Sequence, residues 1–157
     1  MNENDKGLKA EDDLIAQFNL TASSQYDNIH NDIDAWEGKK SISIKSQQLA
    51  EKTGNLSFEL KLINHRDPLD QRESWFYTSK ADEYWIIVGK TVYVFDAQVL
   101  KAFILENDWM FRKTKLTNQA LIDENIKAGR KYCQSESILV SLSGLESKGL
   151  VEEKLYL

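Results

Sequence analysis

The stretch of residues 30–62, HNDIDAWEGKKSISIKSQQLAEKTGNLSFELKL, decides the fold that we predict for this chain. Gly38 and Lys39 lie between two segments in which polar and apolar residues alternate, a pattern typical of the two-residue turn of a β-hairpin. After a short connection, residues 56–62 alternate again, with leucine and phenylalanine on one side. The stretch therefore predicts a hairpin followed by a third strand.

The hairpin turn determines which side chains face each other across the first two strands. Asp34 then pairs with Ser43, and Asp32 pairs with Lys45. Facing side chains lie roughly 5 Å apart at Cβ, which is close enough for two polar groups to share one ion. On the third strand Glu59 points to the polar side, so we expect it to join the same face.

This face has the residue types that phosphodiester hydrolysis requires. The reaction needs hard oxygen ligands for Mg²⁺ and a positive group beside the attacking water, and Asp34, Glu59 and Lys45 provide them. The alternative is a solvated face of an antiparallel sheet, where alternating polar residues are the default. Trp36 on the same face favours a cleft, and acids that face each other repel and so favour a bound cation.

Length and composition predict a single α+β domain. The chain has 157 residues, of which 41% are hydrophobic, and one proline. That is enough for one substantial core. We expect residues 1–7 to be disordered and residues 106–157 to form a C-terminal extension that packs on the core. The predicted architecture is a central mixed β-sheet of about five to six strands flanked by helices.

Charge and cysteine content limit the classes of function. The net charge of −5 argues against a protein that coats nucleic acid through bulk positive potential, although it allows a local basic strip. Cys133 is alone, which excludes an intramolecular disulfide and fits a reducing compartment. No signal core and no run of roughly 18 apolar residues is present. We therefore expect a cytoplasmic protein with no membrane partner.

Further helices and strands are predicted around the central stretch. Residues 26–30 predict a short first strand, Gly89 and Lys90 a second hairpin turn, and Asp96 the N-cap of a helix. Residues 136–149 predict a strand followed by a short helix. Four apolar residues at helical spacing predict an N-terminal helix. They are Leu8, Leu14, Ile15 and Phe18.

Taken in order, these segments resemble the PD-(D/E)xK nuclease superfamily, the restriction-endonuclease-like fold that includes Holliday junction resolvases. The similarity covers residues 8–104 and follows the family order of a helix, a strand, a strand with aspartate and a strand with acid-x-lysine. The segments SIKSQ, TGNLSFEL and SWFYTSKADEYWIIVGKTVYVFD are also similar to small phage-encoded, nuclease-like proteins.

The resemblance implies a DNA endonuclease that depends on Mg²⁺ (or Mn²⁺) and processes DNA, with selectivity for structure as one option. It implies a place of action in the bacterial cytoplasm, or in the host cell of a phage. Resolvases of this fold pair two active sites to cut two strands, so the resemblance also allows a homodimer.

The resemblance assigns roles to particular residues. The metal-binding aspartate of the family falls on Asp34, with Asp32 as the other candidate, and its lysine falls on Lys45. Its central acid falls on Ser43, which has no negative charge to attract Mg²⁺. This departure from the family pattern bears directly on catalysis.

Two acids are expected to compensate for the serine. Glu59 would provide the missing carboxylate, and Glu11 on the first helix would complete the metal shell with Ser43 or its backbone carbonyl. Lys45 would position or deprotonate the attacking water. If Glu59 does not reach the site, the resemblance implies a nuclease fold kept for binding nucleic acid or a host protein without cleavage.

Six basic residues are candidates for contacts with DNA phosphates. They are Lys39, Lys40, Lys61, Arg66, Arg72 and Lys80. The aromatic residues Trp75, Phe76 and Tyr77 are candidates for stacking on exposed bases, with packing in the core as the alternative.

Overall fold

The computed structural model describes residues 3–115 and 119–157. The strands along these residues are β1 (Thr21–Ala22), β2 (Ala35–Glu37), β3 (Lys40–Ser46), β4 (Asn55–Asn64), β5 (Gln71–Glu73), β6 (Glu83–Val88), β7 (Thr91–Asp96), β8 (Arg112–Lys115), β9 (Tyr132–Ser141) and β10 (Val151–Tyr156). The helices are α1 (Glu3–Gln17), α2 (Gln25–Asn31), α3 (Ala50–Thr53), α4 (Trp75–Thr78), α5 (Ala97–Glu106), α6 (Gln119–Lys127) and α7 (Leu142–Ser147).

The main sheet has six strands in the order β1-β2-β3-β6-β7-β10. The central pair, β3 and β6, runs parallel with Ile44 opposite Trp85. The remaining neighbours are antiparallel. The predicted α+β class, with a mixed sheet of five to six strands flanked by helices, is confirmed.

Both predicted hairpin turns are confirmed. Across the first turn Glu37 pairs with Lys40, which leaves Gly38 and Lys39 as the turn residues. Gly38 has a φ of 59°, and Gly89 in the second turn has a φ of 62°. Glycine adopts this left-handed conformation without the steric cost that a Cβ imposes, so these dipeptides specify the turns.

A second sheet was not predicted. It is antiparallel, with the order β5-β4-β9-β8. The expectation that the strand of Glu59 lies beside the predicted hairpin is wrong, because β3 pairs with β6 while β4 pairs with β5 and β9. The alternation in β4 correctly predicts which side chains are buried, such as Phe58. Alternation identifies the buried face of a strand, but it does not identify the neighbouring strand.

Residues 26–30 form part of α2, so the short strand predicted there is wrong. The hydroxyl of Ser24 accepts a hydrogen bond from the backbone N–H of Asp27 and caps the helix. No residue of α2 is buried. Because the helix lacks a buried apolar stripe, the periodic pattern that reveals amphipathic helices is absent from its sequence.

The two ends of the chain also differ from expectation. Residues 3–7, predicted to be disordered, belong to α1, since no proline interrupts the helical spacing that continues to Leu14. Residues 1 and 2 lie outside the described residues. The predicted C-terminal extension provides β9 to the second sheet and β10 to the main sheet. Ile138 and Val140 of β9 are buried in the core, so this segment forms the core as well as packing on it.

Two apolar layers cover the main sheet. One face packs against α1 and buries Leu14, Ile42 and Ile44. The other face packs against the second sheet and α5, with Phe58 and Leu100 among the buried residues. Since successive residues of a strand point to opposite faces, Ser43 and Lys45 point toward the second sheet. Among the described residues, no helix is long and apolar enough to cross a membrane.

The side chain of Gln47 joins the end of β3 to the edge of β4. Its amide nitrogen donates to the carbonyl of Ser57 at 2.8 Å, and its amide oxygen accepts from the N–H of Ser57 at 2.7 Å. These two bonds satisfy the backbone groups of Ser57 as a neighbouring strand would. An unpaired strand edge leaves backbone groups unsatisfied, so the pair stabilises the junction of the two sheets.

We predict that Gln47→Ala lowers the free energy of unfolding by about 2 kcal/mol, because two hydrogen bonds of about 1 kcal/mol each are lost. Urea denaturation followed by circular dichroism measures the change. The matched control is Gln98→Ala, since Gln98 is exposed on α5. Equal stability of the two variants would contradict this role for Gln47.

Candidate functional site

The carboxylate of Asp32 joins two side chains of β3. Ser43 Oγ donates to Asp32 Oδ2 at 2.8 Å, and Lys45 Nζ donates to Asp32 Oδ1 at 2.6 Å. Ser43 is fully buried, and the side chains of Asp32 and Lys45 are each 21% exposed. At this burial an ion pair is screened much less than it is at a fully exposed surface.

Asp32 reaches β3 from the end of a helix, not from a strand. It terminates α2 in the left-handed conformation, with a φ of 54°, and its N–H donates to the carbonyl of Asp27. Aspartate and asparagine tolerate this conformation better than other residues with a Cβ. The turn leads directly into β2, so the predicted pairing of Asp32 with Lys45 exists between side chains although Asp32 is not a strand residue.

Asp34 lies immediately before β2 and forms hydrogen bonds with β3. Its backbone N–H donates to Ile42, and its Oδ2 accepts from the N–H of Ile44 at 2.6 Å. Its Oδ1 accepts from the amide of Asn28 at 2.7 Å. Burial raises the pKa of Asp34, while the hydrogen bond from Ile44 opposes that rise.

Glu11 on α1 lies within electrostatic reach of this group. Burial and then the charge of Asp34 raise the pKa of Glu11 to about 7, with further contributions from Asp12 and Asp32, while Lys45 lowers it. α1 packs on the opposite face of β3 from Ser43 and Lys45, but the charge of Glu11 interacts with those of Asp32, Asp34 and Lys45. We call these four residues, together with Ser43, the acid-lysine cluster. Burial, reinforced by the neighbouring acids, favours protonation of Glu11 at neutral pH.

The lysine of the cluster also contacts an aromatic ring. Lys45 Nζ lies 4.7 Å from the ring centroid of Trp75, the first residue of α4. An ammonium group over an indole face is attracted by the ring quadrupole. Lys45 is therefore held between the carboxylate of Asp32 and the indole of Trp75.

Glu59 is placed elsewhere. It lies on β4 in the second sheet, where its carboxylate accepts a hydrogen bond from the hydroxyl of Ser74. The charges that act on the pKa of Asp34 come from Lys45 and Asp32. We therefore give Glu59 no part in the acid-lysine cluster, contrary to the expectation that it replaces the acid missing at position 43.

The six basic candidates do not lie on a single element. Lys39 is in the turn between β2 and β3, and Lys40 Nζ lies 3.9 Å from a carboxylate oxygen of Glu83. The other four lie on β4 and β5 or in neighbouring loops. They are Lys61, Arg66, Arg72 and Lys80.

The three aromatic candidates form the start of α4. Phe76 is fully buried, and Trp75 is half-buried against the core between the sheets. Tyr77 is 37% exposed. Packing accounts for Phe76, whereas Trp75 has a ring that both packs and contacts Lys45.

A pocket of about 440 Å³ opens beside Glu11, and its wall includes Ile44, Ser46 and Arg130. Arg130 was not a candidate from the sequence. It precedes β9, far from the cluster along the chain, and donates to the amide oxygen of Asn125 at 2.6 Å. No local motif marks it, since it lines this pocket together with residues of α1 that are more than 100 positions away in the sequence.

Within residues 3–115 and 119–157, no group of three or more His, Cys, Asp or Glu side chains is arranged to hold a metal ion. Comparison of the chain with protein-family models, with curated proteins and with solved structures gives no match.

The raised pKa of Glu11 makes the stability of the fold depend on pH. A carboxyl whose folded-state pKa is about 7 stabilises the fold below its unfolded value of 4.5, and this contribution is lost as the pH rises through 7. We predict that Glu11→Gln raises the free energy of unfolding at pH 8 by on the order of 1 to 2 kcal/mol, with little effect at pH 4.

Urea denaturation at both pH values measures this difference. Asp13→Asn is the control, because Asp13 is exposed on the same helix. If the two variants respond equally at pH 8, the buried charge of Glu11 is not what destabilises the fold.

Proposed function

We propose that the protein is a nuclease that hydrolyses phosphodiester bonds of DNA with the help of a divalent cation. The observation that carries this proposal is the position of the Asp32 carboxylate, within hydrogen-bonding distance of both Ser43 and Lys45. In the PD-(D/E)xK pattern an acid occupies the position of Ser43. Asp32 places a carboxylate at that position from the turn after α2.

The order of elements supports the same proposal. The resemblance implies a helix, a strand, an aspartate strand and a lysine strand, and α1, β1, β2 and β3 occur in this order, with α2 between β1 and β2. Asp34 directly precedes β2 and Lys45 lies on β3. No family match contributes to this step, so the proposal rests on the residues of the site and their arrangement.

The donor types of the cluster fit a hard cation such as Mg²⁺. Glu11, Asp32 and Asp34 offer carboxylate oxygens, and burial raises the pKa of both Glu11 and Asp34. A bound cation would favour the charged form of these carboxylates. Mg²⁺ usually binds one or two carboxylates together with water and substrate phosphate, so a cage of three acids is not required. When bound, the cation would stabilise charge on the scissile phosphate.

The remaining residues have separate roles in this proposal. Lys45, held as an ammonium by Asp32 and Trp75, orients the attacking water by donating a hydrogen bond to it. Ser43 fixes the orientation of Asp32 through its hydroxyl. Arg130, in the wall of the pocket beside Glu11, is available to contact a phosphate through its fork of N–H donors. We place the activity in the cytoplasm, which a free and buried Cys133 fits.

A second candidate function is a nuclease fold that binds nucleic acid or a host protein without cleavage. The observation that favours it is that both oxygens of Asp34 and both oxygens of Asp32 already accept hydrogen bonds from protein groups. A cation would have to share or displace these donors. Metal binding therefore distinguishes the two functions.

We predict that the purified protein nicks or linearises supercoiled plasmid with Mg²⁺ or Mn²⁺, and that EDTA abolishes the reaction. Asp34→Asn, Asp32→Asn and Lys45→Ala should each reduce the rate by about 100-fold or more, because each removes a group that acts on the cation or the water. Gel electrophoresis of the plasmid forms measures the rates.

Glu59→Gln is the matched control, and it should retain activity because Glu59 lies outside the cluster. Full activity of Asp34→Asn and Lys45→Ala would refute the proposed nuclease site. An absence of cleavage, together with no rise in melting temperature on addition of Mg²⁺, would select the second function.

A further inference from the structure

A groove of about 370 Å³ lies between α2, β5 and α4, beside the acid-lysine cluster. Its wall combines rings, amides and charged groups. They include Asn28, His30, Asp32, Arg72, Ser74 and Trp75. Pockets that bind small ligands have volumes of roughly 300 to 1,000 Å³ and few, converging polar groups. The groove has the size and lining of a site for one small, planar, polar ligand.

The groove leads directly to Lys45. Asp32 and Trp75 both belong to its wall, and they are the two residues that hold the lysine ammonium, at 2.6 Å and 4.7 Å respectively. A ligand in the groove therefore lies beside the group that we propose to act on the attacking water. The groove and the acid-lysine cluster therefore share Asp32, and Trp75 contacts both.

Neighbouring aromatic rings contact the guanidinium of Arg72 and the imidazole of His30 in the groove wall. The guanidinium of Arg72 lies 4.4 Å from the ring centroid of Tyr132, and the ring of His30 lies 4.5 Å from that of Tyr26. Such stacking reduces the rotamer freedom that a flexible side chain loses on binding. Together with Trp75, these groups present planar surfaces of the kind on which nucleobases stack.

One of the six basic candidates lines the groove, and two others lie on neighbouring segments. Arg72 lines the groove and is opposite Leu62, another residue of the wall, in the ladder between β4 and β5. Lys61 is opposite the groove residue Glu73 in the same ladder, and the backbone N–H of Lys80 donates to the carbonyl of Asn31 at the end of α2. Arg72 is therefore the basic candidate that reaches the groove.

We propose that this groove binds an unpaired nucleotide next to the scissile phosphate, with its base against Trp75 and a phosphate at Arg72. The substrate class is therefore nucleic acid that is single-stranded at the cleavage position. This inference rests on the proposed function for the nature of the substrate. A groove of about 370 Å³ is of a size to take one base with its phosphate, so we expect an unpaired nucleotide to occupy it better than a base pair does.

The test measures binding in EDTA, so that it does not depend on cleavage. Fluorescence anisotropy compares the intact chain with a labelled single-stranded DNA oligonucleotide, an RNA of the same sequence and the blunt DNA duplex. We expect tighter binding of a single strand than of the duplex. We also expect Arg72→Gln to weaken single-strand binding at least about tenfold, since a hydrogen bond to a charged group is lost.

Lys90→Gln removes one positive charge in the exposed turn between β6 and β7, outside the groove, and should change the affinity less than about twofold. Equal affinity for single strand and duplex, or equal effects of Arg72→Gln and Lys90→Gln, would overturn the inference. Photo-crosslinking of a bromouracil-labelled strand gives a readout that requires no mutation. Attachment at α4 supports binding of the base in the groove, and attachment elsewhere counts against it. Single-strand binding in EDTA, without cleavage of either the plasmid or the single strand when Mg²⁺ is added, would leave this inference standing and refute the proposed catalysis.

Discussion

β3 has polar side chains on a buried face, and the structure depends on how these side chains are hydrogen-bonded. β3 is hydrogen-bonded on both sides, by β2 and β6, and the second sheet covers one of its faces. Ser43 is fully buried there and Lys45 is largely buried. A buried hydroxyl or ammonium without a partner costs several kcal/mol, so the chain must bring acceptors to this face. Asp32 is the acceptor for both groups.

This requirement explains the irregular segment before the hairpin. A carboxylate can reach Ser43 and Lys45 together because α2 stops at Asp32 in the left-handed conformation. Two residues later, just before β2 begins, the carboxylate of Asp34 accepts a hydrogen bond from the backbone N–H of Ile44. Both acids therefore stabilise the end of β3, and that structural role is compatible with a chemical role because a carboxylate oxygen accepts more than one contact.

The sequence predicts the parts of the fold that local chemistry controls. Gly38-Lys39 and Gly89-Lys90 specify two turns, and the register of β2 on β3 follows from the first of them. The strands with which β4 pairs depend on tertiary packing, and the alternation of polar and apolar residues contains no information on that pairing. Of the site, Asp34 and Lys45 follow from the hairpin register. The carboxylate at Ser43 depends on where α2 ends, and Arg130 depends on the packing of a distant segment, so neither has a local signal.

The electrostatics of the acid-lysine cluster indicate which group a cation would replace. Glu11, Asp32 and Asp34 share the single positive charge of Lys45, and that lysine already contacts Asp32. Burial is the largest cause of the pKa of about 7 at Glu11, and the charges of Asp34, Asp12 and Asp32 add to it. Under the proposed function a divalent cation would favour the charged carboxylate, so it would compete with the proton on Glu11 and would bind more tightly as the pH rises.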